Sequence, residues 1–272
     1  MTVSSAEAPA GDFTALVLAG SRSESDPLAT SCGVSRKSLI PIDGVAMVTR
    51  VVRALRGARR IGRVIVCGIA PAGFAERSEA AALLHDDAVS VLEGRDSPAA
   101  SVLHAVESLP GDRLPLLVTT ADHPLLTSAM IDAFCANASA SGRDAVVGLV
   151  DAKLVQEAFP ESRRTLLRFR EASYCGANLY ALLTPLSHAA PRAWMRVEAH
   201  RKRPWRLVGE LGMGPLVRFL AGRLTLEEAV ELASREMGLS VGSVLLPWPD
   251  AAIDVDRRRD LELVERILRA RN

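Results

Sequence analysis

Short runs of β-branched and leucine-rich residues recur along the first half of the chain, separated by segments of helical spacing. Phe13–Ala19, Gly62–Ile69, Ala88–Leu92, Leu114–Thr120 and Asp144–Val150 are almost continuously apolar. A strand with one wet face alternates apolar and polar residues, whereas unbroken runs predict strands of a parallel sheet covered on both faces. Between them, Met47–Arg56, Ser97–Leu109 and Thr127–Ala140 repeat apolar residues at three- and four-residue steps, and Thr127 is placed to cap the last. This alternation predicts an α/β fold built on a doubly wound, mostly parallel, Rossmann-like sheet. The pattern changes near Ala181. From there to Gly238 the chain reads as helix, with Arg201–Ala221 and Leu226–Met237 as its main segments and capping-box spacing at Thr225 and Glu228. Strands are expected again at Val241–Leu246 and Ala252–Val255, then a helix over Arg258–Ala270. The expectation is a flexible tail at 1–11 and one domain over 12–272, with a helical insertion near the C-terminus at about 184–238.

Composition sets limits on this picture. The 272 residues are 49% hydrophobic and 24% charged, which supplies a core and excludes wholesale disorder. The net charge of +1 leaves no overall field to gather nucleic acid, and no nucleic-acid partner is expected. Cys32, Cys67, Cys135 and Cys175 are widely spaced, which argues for buried thiols in a reducing, cytoplasmic setting. The N-terminus has no basic segment of the secretory kind. Ala172–Pro191 is uncharged, but Gly176, Asn178, Pro185, His188 and Pro191 argue against a membrane span.

In an open parallel sheet, ligands bind beyond the carboxyl ends of the strands. After the first run comes Leu18-Ala19-Gly20-Ser21-Arg22, with neither a Rossmann nor a P-loop fingerprint; its amides can form an anion nest beside Arg22. Lys37 precedes an apolar segment that ends in a turn at Gly44, and a solvated loop lysine is the alternative. Asp122 follows the fourth run, where a carboxylate can hold magnesium or simply cap a helix. Asp254 and Asp256, two residues apart, would share one face of an extended segment. His123 has no second His or Cys at ligand spacing and is assigned a supporting role. Arg163, Arg164, Arg168 and Arg170 precede a strand at Tyr174–Tyr180 and form either an acceptor-phosphate site or a solvated face. Arg192, Arg196, Arg201, Lys202, Arg203 and Arg206 surround Glu198, with Trp194 and Trp205 between them. That patch is a candidate for peripheral contact with an anionic membrane, the alternative being a surface helix with its tryptophans in the core.

The ordered set Leu18–Gly20, Lys37 before Gly44, Asp122-x-Pro124 and Asp254-x-Asp256 with Asp260-Leu261 resembles the MobA-like NTP transferase family. That family comprises nucleotidyltransferases related to molybdenum-cofactor guanylyltransferase and to cytidylyltransferases. The resemblance spans about residues 13–180 and 241–270. It implies the nucleotide-diphospho-sugar transferase fold, Mg2+ (or Mn2+) as cofactor, and transfer of NMP from an NTP to a phosphorylated acceptor with release of pyrophosphate. The acceptor would be a cofactor-precursor phosphate met in the cytoplasm or, on the strength of the basic tryptophan-bearing patch, a lipid-precursor phosphate met at the inner face of the membrane. By the same resemblance, Leu18, Ala19, Gly20, Ser21, Arg22 and Lys37 bind the triphosphate. The segment Gly94–Ser101 contacts the base, with Ser101 as its polar reader or else only a helix cap, and Gly94 and Ser97 also bind the nucleotide. Lys37, Asp122 and Asp256 are catalytic, and Asp122 and Asp256 hold the metal, with Asp254 as the reserve ligand. Asn178, Arg164 and Arg170 form the acceptor side. The family's G-x-G-x-R is replaced by Ser21-Arg22-Ser23-Glu24-Ser25, and Pro98 stands where pyrimidine-using relatives often carry arginine. CTP and then GTP are the expected nucleotides. Two other readings remain at this point: a nucleotide-sugar glycosyltransferase, which would carry Asp-x-Asp in place of Asp122-His123-Pro124, and an inactive nucleotide-binding regulatory module.

Overall fold

The computed structural model describes residues 11–20, 26–108, 114–200, 218 and 221–271, without the side chains of 197, 199 and 200. Most of the expected tail, Ser21, Arg22, and nearly all of the expected helix Arg201–Ala221, including Trp205 and the four cations Arg201, Lys202, Arg203 and Arg206, lie outside the described residues.

The five apolar runs become β1 (Phe13–Leu18), β4 (Ile61–Cys67), β5 (Val89–Leu92), β6 (Leu116–Thr120) and β7 (Ala145–Asp151). The chain also forms β2 (Pro41–Ile42), β3 (Val45–Ala46), β8 (Leu167–Arg168), β9 (Ser173–Leu182) and β10 (Val241–Leu245). β2 and β3 make a separate hairpin; the other eight strands form one sheet, ordered β10-β7-β9-β6-β1-β4-β5, with β8 attached to β9. β1, β4, β5 and β6 run parallel, as do β7 and β10, while β9 lies antiparallel between β6 and β7. The helices are α1 (Pro27–Ser31), α2 (Met47–Arg56), α3 (Pro71–Phe74), α4 (Ser78–Ala81), α5 (Pro98–Ser108), α6 (Ser128–Ala140), α7 (Ala152–Ala158), α8 (Ala189–His200), α9 (Leu226–Met237) and α10 (Arg258–Arg271).

Coverage of both sheet faces explains the unbroken apolar runs. Ala15 and Val17 of β1 join Val48, Val52 and Leu55 of α2 and Ile131 and Phe134 of α6 in one core. Leu16, between them, packs on the other face with Ile65 of β4 and Val102 and Ala105 of α5. Each leucine or valine so buried contributes roughly 1.5–3 kcal/mol by leaving water. The expected caps are present. Thr127 accepts from the Met130 amide at the start of α6, and Thr225 and Glu228 form the reciprocal capping box of α9.

One expectation changes. Ala252–Val255 is not a strand: Pro249–Ala252 forms a 3-10 turn, and the following residues run extended with the Val255 amide donating to the Asp122 carbonyl at 3.0 Å. The apolar pattern there reflects burial of Ile253 and Val255 beneath Asp122, not a sheet ladder. Within α8, the described arginines of the basic patch, Arg192 and Arg196, are exposed, while its tryptophan packs against the sheet. Trp194 packs on Tyr180 with ring centroids 5.7 Å apart, and Arg192 pairs with Glu107 at 2.8 Å. No helix among the described residues is long and apolar enough to cross a membrane.

The antiparallel strand carries an irregularity that shapes the site rim. Val147 of β7 pairs with Tyr180 of β9 and Leu149 with Gly176, so Gly148 alone faces Ala177, Asn178 and Leu179. A Cβ on Gly148 would meet the Leu179 Cβ at 3.2 Å and its carbonyl oxygen at 3.3 Å, so a side chain there would crowd the bulge. Asn178 takes a positive φ of 50° at its centre.

Candidate functional site

The site is assembled at the carboxyl ends of β1, β4, β5 and β6. Beyond β1, Ala19 donates its amide to the Cys67 carbonyl at 2.8 Å and accepts the buried Ser38 hydroxyl at 3.1 Å. Ser38 lies in the single 3-10 turn Lys37–Leu39, so this bond ties the lysine's backbone to the end of β1. Lys37 Nζ donates to Asp122 Oδ2 at 2.6 Å and to Asp256 Oδ1 at 2.5 Å. The two carboxylates are far apart in sequence and share one ammonium, so their oxygens can be separated by no more than the sum of those distances. Burial alone would depress the Lys37 pKa, but Asp122 and Asp256 more than compensate and hold it above the ordinary lysine value. Burial likewise opposes ionisation of Asp122, and Lys37 overrides it and keeps the carboxyl below the usual range. Asp122 Oδ1 is buried with no hydrogen-bond partner among the described residues.

Arg164 forms a second bridge. Its side chain is 8% exposed and donates through Nη1 to the Asp254 carboxylate and carbonyl and through Nη2 to the Asp260 carboxylate, while Nε reaches the Ser162 hydroxyl at 3.0 Å. Asp260 Oδ2 accepts the Arg257 amide at 2.8 Å and the Asp256 amide at 3.3 Å, which locks the start of α10. Asn178 Nδ2 donates to Asp254 at 3.4 Å. Burial, with Asp122 and Asp256 nearby, pushes Asp254 up to about 6 against the pull of Arg164. His123 is fully buried, and neither ring nitrogen makes a hydrogen bond within normal geometry; the nearby Asp122 carboxylate and Ala251 backbone only partly offset burial, which lowers its pKa to about 4.

Two cavities meet at these acids. One, of about 370 Å³, is lined by Leu18, Gly20, Lys37, Ser97, Ser101 and Asp122. The other, of about 380 Å³, is lined by Arg163, Arg164, Arg257, Arg259 and Asp260. Asn178, Asp254 and Asp256 belong to both walls. Beside the first cavity Gly94 and Gly20 both approach Gly68. Gly68 has φ of 102°, and a Cβ there would stand 2.5 Å from the Gly20 nitrogen; one on Gly94 would stand 2.9 Å from the Gly68 Cα. Gly68 was not among the expected residues, although it follows the β4 run just as Gly20 follows β1.

Lys37, Asp122, Asp254, Asp256 and Asn178 are thus brought together, with Leu18, Gly20, Ser97 and Ser101 around the same cavity. Ala19 lies beneath it and Gly94 lines the adjoining one with Gly20 and Gly68. Ser97 caps α5 through the Ala100 amide, and the Ser101 hydroxyl accepts the Arg95 amide at 2.9 Å, so both hold the loop that shapes the cavity. Arg164 is turned into the acids rather than toward a free acceptor phosphate. Arg170 is exposed, lines neither cavity and spends its amide on the Leu224 carbonyl at 2.9 Å. Arg163, Arg257 and Arg259 line the second cavity with Arg164, and their sequence context of neighbouring arginines gave no means of telling which guanidinium turns inward.

No group of three His, Cys, Asp or Glu side chains poised to hold a metal occurs among the described residues; Lys37 stands between Asp122 and Asp256. The donors nonetheless suit a hard divalent cation. They are all carboxylate oxygens, one of them buried and unpartnered, and magnesium takes few protein ligands while keeping waters and substrate phosphates.

A family model described as the MobA-like NTP transferase domain matches residues 15–203. A solved hypothetical transferase from Thermus thermophilus is 31% identical, with 92% of this chain and 99% of that one aligned and a TM-score of 0.75. At 10% identity, 4-diphosphocytidyl-2C-methyl-D-erythritol synthase from Anaerococcus prevotii shares the fold, with 96% and 98% coverage and a TM-score of 0.59. CMP:2-keto-3-deoxy-manno-octonic acid synthetase, solved with CTP, does so at 11% identity, 96% and 100% coverage and a TM-score of 0.59. No curated protein sequence matches the chain.

Proposed function

The chain belongs to the MobA-like NTP transferase domain family, and from that premise we propose that it transfers NMP from an NTP to a phosphorylated acceptor with release of pyrophosphate. The observation that carries this reading is Lys37 held between Asp122 and Asp256 at the end of the sheet, on the wall of a cavity large enough for a nucleotide. Asp122 and Asp256 would hold Mg2+ or Mn2+, with Asp254 as the reserve ligand, and the ion's chemistry there is to neutralise charge on the phosphates. Lys37, kept protonated by its two acids, would lie against the triphosphate and stabilise the charge that grows during transfer. The close packing of Gly20, Gly68 and Gly94 leaves bare backbone at the edge of the cavity where it meets the adjoining one, which a polyphosphate can approach.

In the transfer, an acceptor phosphate oxygen forms a bond to the α-phosphorus. The bond from that phosphorus to the bridging oxygen breaks, and its electron pair leaves with pyrophosphate. A phosphomonoester is already ionised at neutral pH, so no side chain has to remove a proton, and the buried His123 is not required as a base. Asn178, on the shared wall, would orient the acceptor toward the nucleotide. CTP is the first nucleotide to test and GTP the second.

The test is a thermal-shift screen of the four NTPs with Mg2+, followed by pyrophosphate release with a panel of phosphomonoesters. A ligand at 100 times its Kd adds about 2.7 kcal/mol of stability, so the true nucleotide should stand out. Stabilisation by none of the four would overturn the reading.

A further inference from the structure

We propose that the second cavity is an anion site for the phosphoryl group of the acceptor, built from Arg163, Arg257 and Arg259; the assignment of that group to an acceptor rests on the transferase reading above. The argument is one of charge pairing. The cavity wall carries four guanidiniums, Arg163, Arg164, Arg257 and Arg259, and three carboxylates, Asp254, Asp256 and Asp260. Every carboxylate is already engaged: Asp254 and Asp260 by Arg164, and Asp256 by Lys37. Arg163 and Arg257 have no ion-pair partner among the described residues, and Arg259 comes only to 3.9 Å of an Asp260 that Arg164 already holds. Three exposed guanidiniums therefore face one concave space with their charge unspent.

The cavity also lies at the start of α10, a fourteen-residue helix whose first turn contributes Arg259 and Asp260 to the wall. The positive end of the helix dipole adds to the same field. Guanidinium forks match phosphate oxygens in pairs, so the ligand chemistry is that of a phosphomonoester dianion. Position supports the assignment. Asn178, Asp254 and Asp256 wall both cavities, so an anion in the arginine cavity lies across those three residues from the nucleotide cavity. Arg164 is a positioning residue here. By neutralising Asp254 and Asp260 it keeps the two acids from repelling the incoming anion.

Inorganic phosphate is the probe. It is titrated into the full chain at constant ionic strength, with the arginine Nε–H resonances as readout, for wild type and the Arg163→Ala/Arg257→Ala double variant. Saturable shifts at Arg163, Arg257 and Arg259, with affinity at least tenfold lower in the variant, are expected. Unsaturable shifts that chloride reproduces, or equal affinity in the two proteins, would overturn the site. A second arm compares glycerol 3-phosphate with vesicles containing phosphatidic acid. Variant-sensitive binding of either supports the phosphomonoester site and identifies a soluble or a lipid source, and binding of neither overturns it as an acceptor site. Mg·NTP thermal shifts on the same samples separate the two readings. A retained nucleotide shift with lost phosphate binding in the double variant supports the anion site as separate from the nucleotide cavity, whereas no nucleotide shift in wild type faults the transferase reading and leaves the anion site to its own titration.

Discussion

Two cations each hold two acids at the rim of this sheet, and they do so by different means. Lys37 joins Asp122 to an Asp256 whose side chain is 64% exposed, through a single ammonium on a flexible stem. Arg164 joins Asp254 to Asp260 through a planar fork that is almost wholly buried. An ammonium can exchange one oxygen for another by turning, so the Lys37 bridge can be remade around a substrate phosphate. A bidentate fork cannot, and the Arg164 bridge acts as a fixed brace. Neighbouring acids of one short segment, Asp254 and Asp256, are thereby split between a brace and a working contact.

The largest effect that separates the two bridges is expected at the brace. Arg164→Ala strands two acids and should cost about 3–5 kcal/mol of unfolding free energy by denaturant titration. Arg164→Lys should recover only part, and full recovery would show that the fork geometry is irrelevant. Lys37→Ala should act on turnover instead, lowering kcat by about 10²–10³-fold with nucleotide binding largely kept. A loss of folding as severe as that of Arg164→Ala would erase the distinction. His123, next to Asp122, tests the dryness of the lysine side. With its pKa lowered from 6.5 to about 4, the folded protein resists a proton that the unfolded chain accepts. Its contribution is complete above about pH 6.5 and is lost as pH falls toward 4, on the order of 3 kcal/mol. Unfolding curves of wild type and His123→Gln should diverge over that window; parallel curves would mean that His123 is hydrated. The smallest effect is at Gly68. Alanine there must adopt a φ that costs about 1–2 kcal/mol and must push against Gly20, so NTP affinity should fall about tenfold. Unchanged affinity by calorimetry would show that the approach of Gly68 to Gly20 has no part in shaping the nucleotide cavity.

Much of this frame is legible in the sequence because burial on both faces leaves a direct imprint. The runs that became β1, β4, β5, β6 and β7 could hardly be anything else, and once the strands are placed, Lys37 and Asp122 fall at their ends. Asp256 followed by family order. Arg164 was legible only as a member of a basic cluster. Which arginine turns inward depends on Asp260, whose place in the first turn of α10 reads from sequence as an ordinary helix-start acid. Ala252–Val255 misleads for a related reason: alternating burial of Ile253 and Val255 has the period of a strand, although a single backbone bond to Asp122 replaces a ladder. Gly68 required knowing that β4 lies beside β1, a fact of topology and not of pattern.

The irregularity opposite Gly148 has a consequence for how such a chain tolerates insertions and deletions. Three residues of β9 stand where one would, which adds an even number to the strand. Since side chains alternate across a sheet, an even surplus preserves parity: Tyr174 and Cys175 before it and Tyr180 to Leu182 after it keep the faces a regular strand would give them. Loss of a single codon between Ala177 and Leu179 would invert one flank relative to the other, exchanging wall for core along the rest of the strand. Loss of two would mend the ladder and withdraw Asn178 from Asp254. Chain length at this point is therefore heritable in steps of two for the fold and in no smaller change at all for the rim.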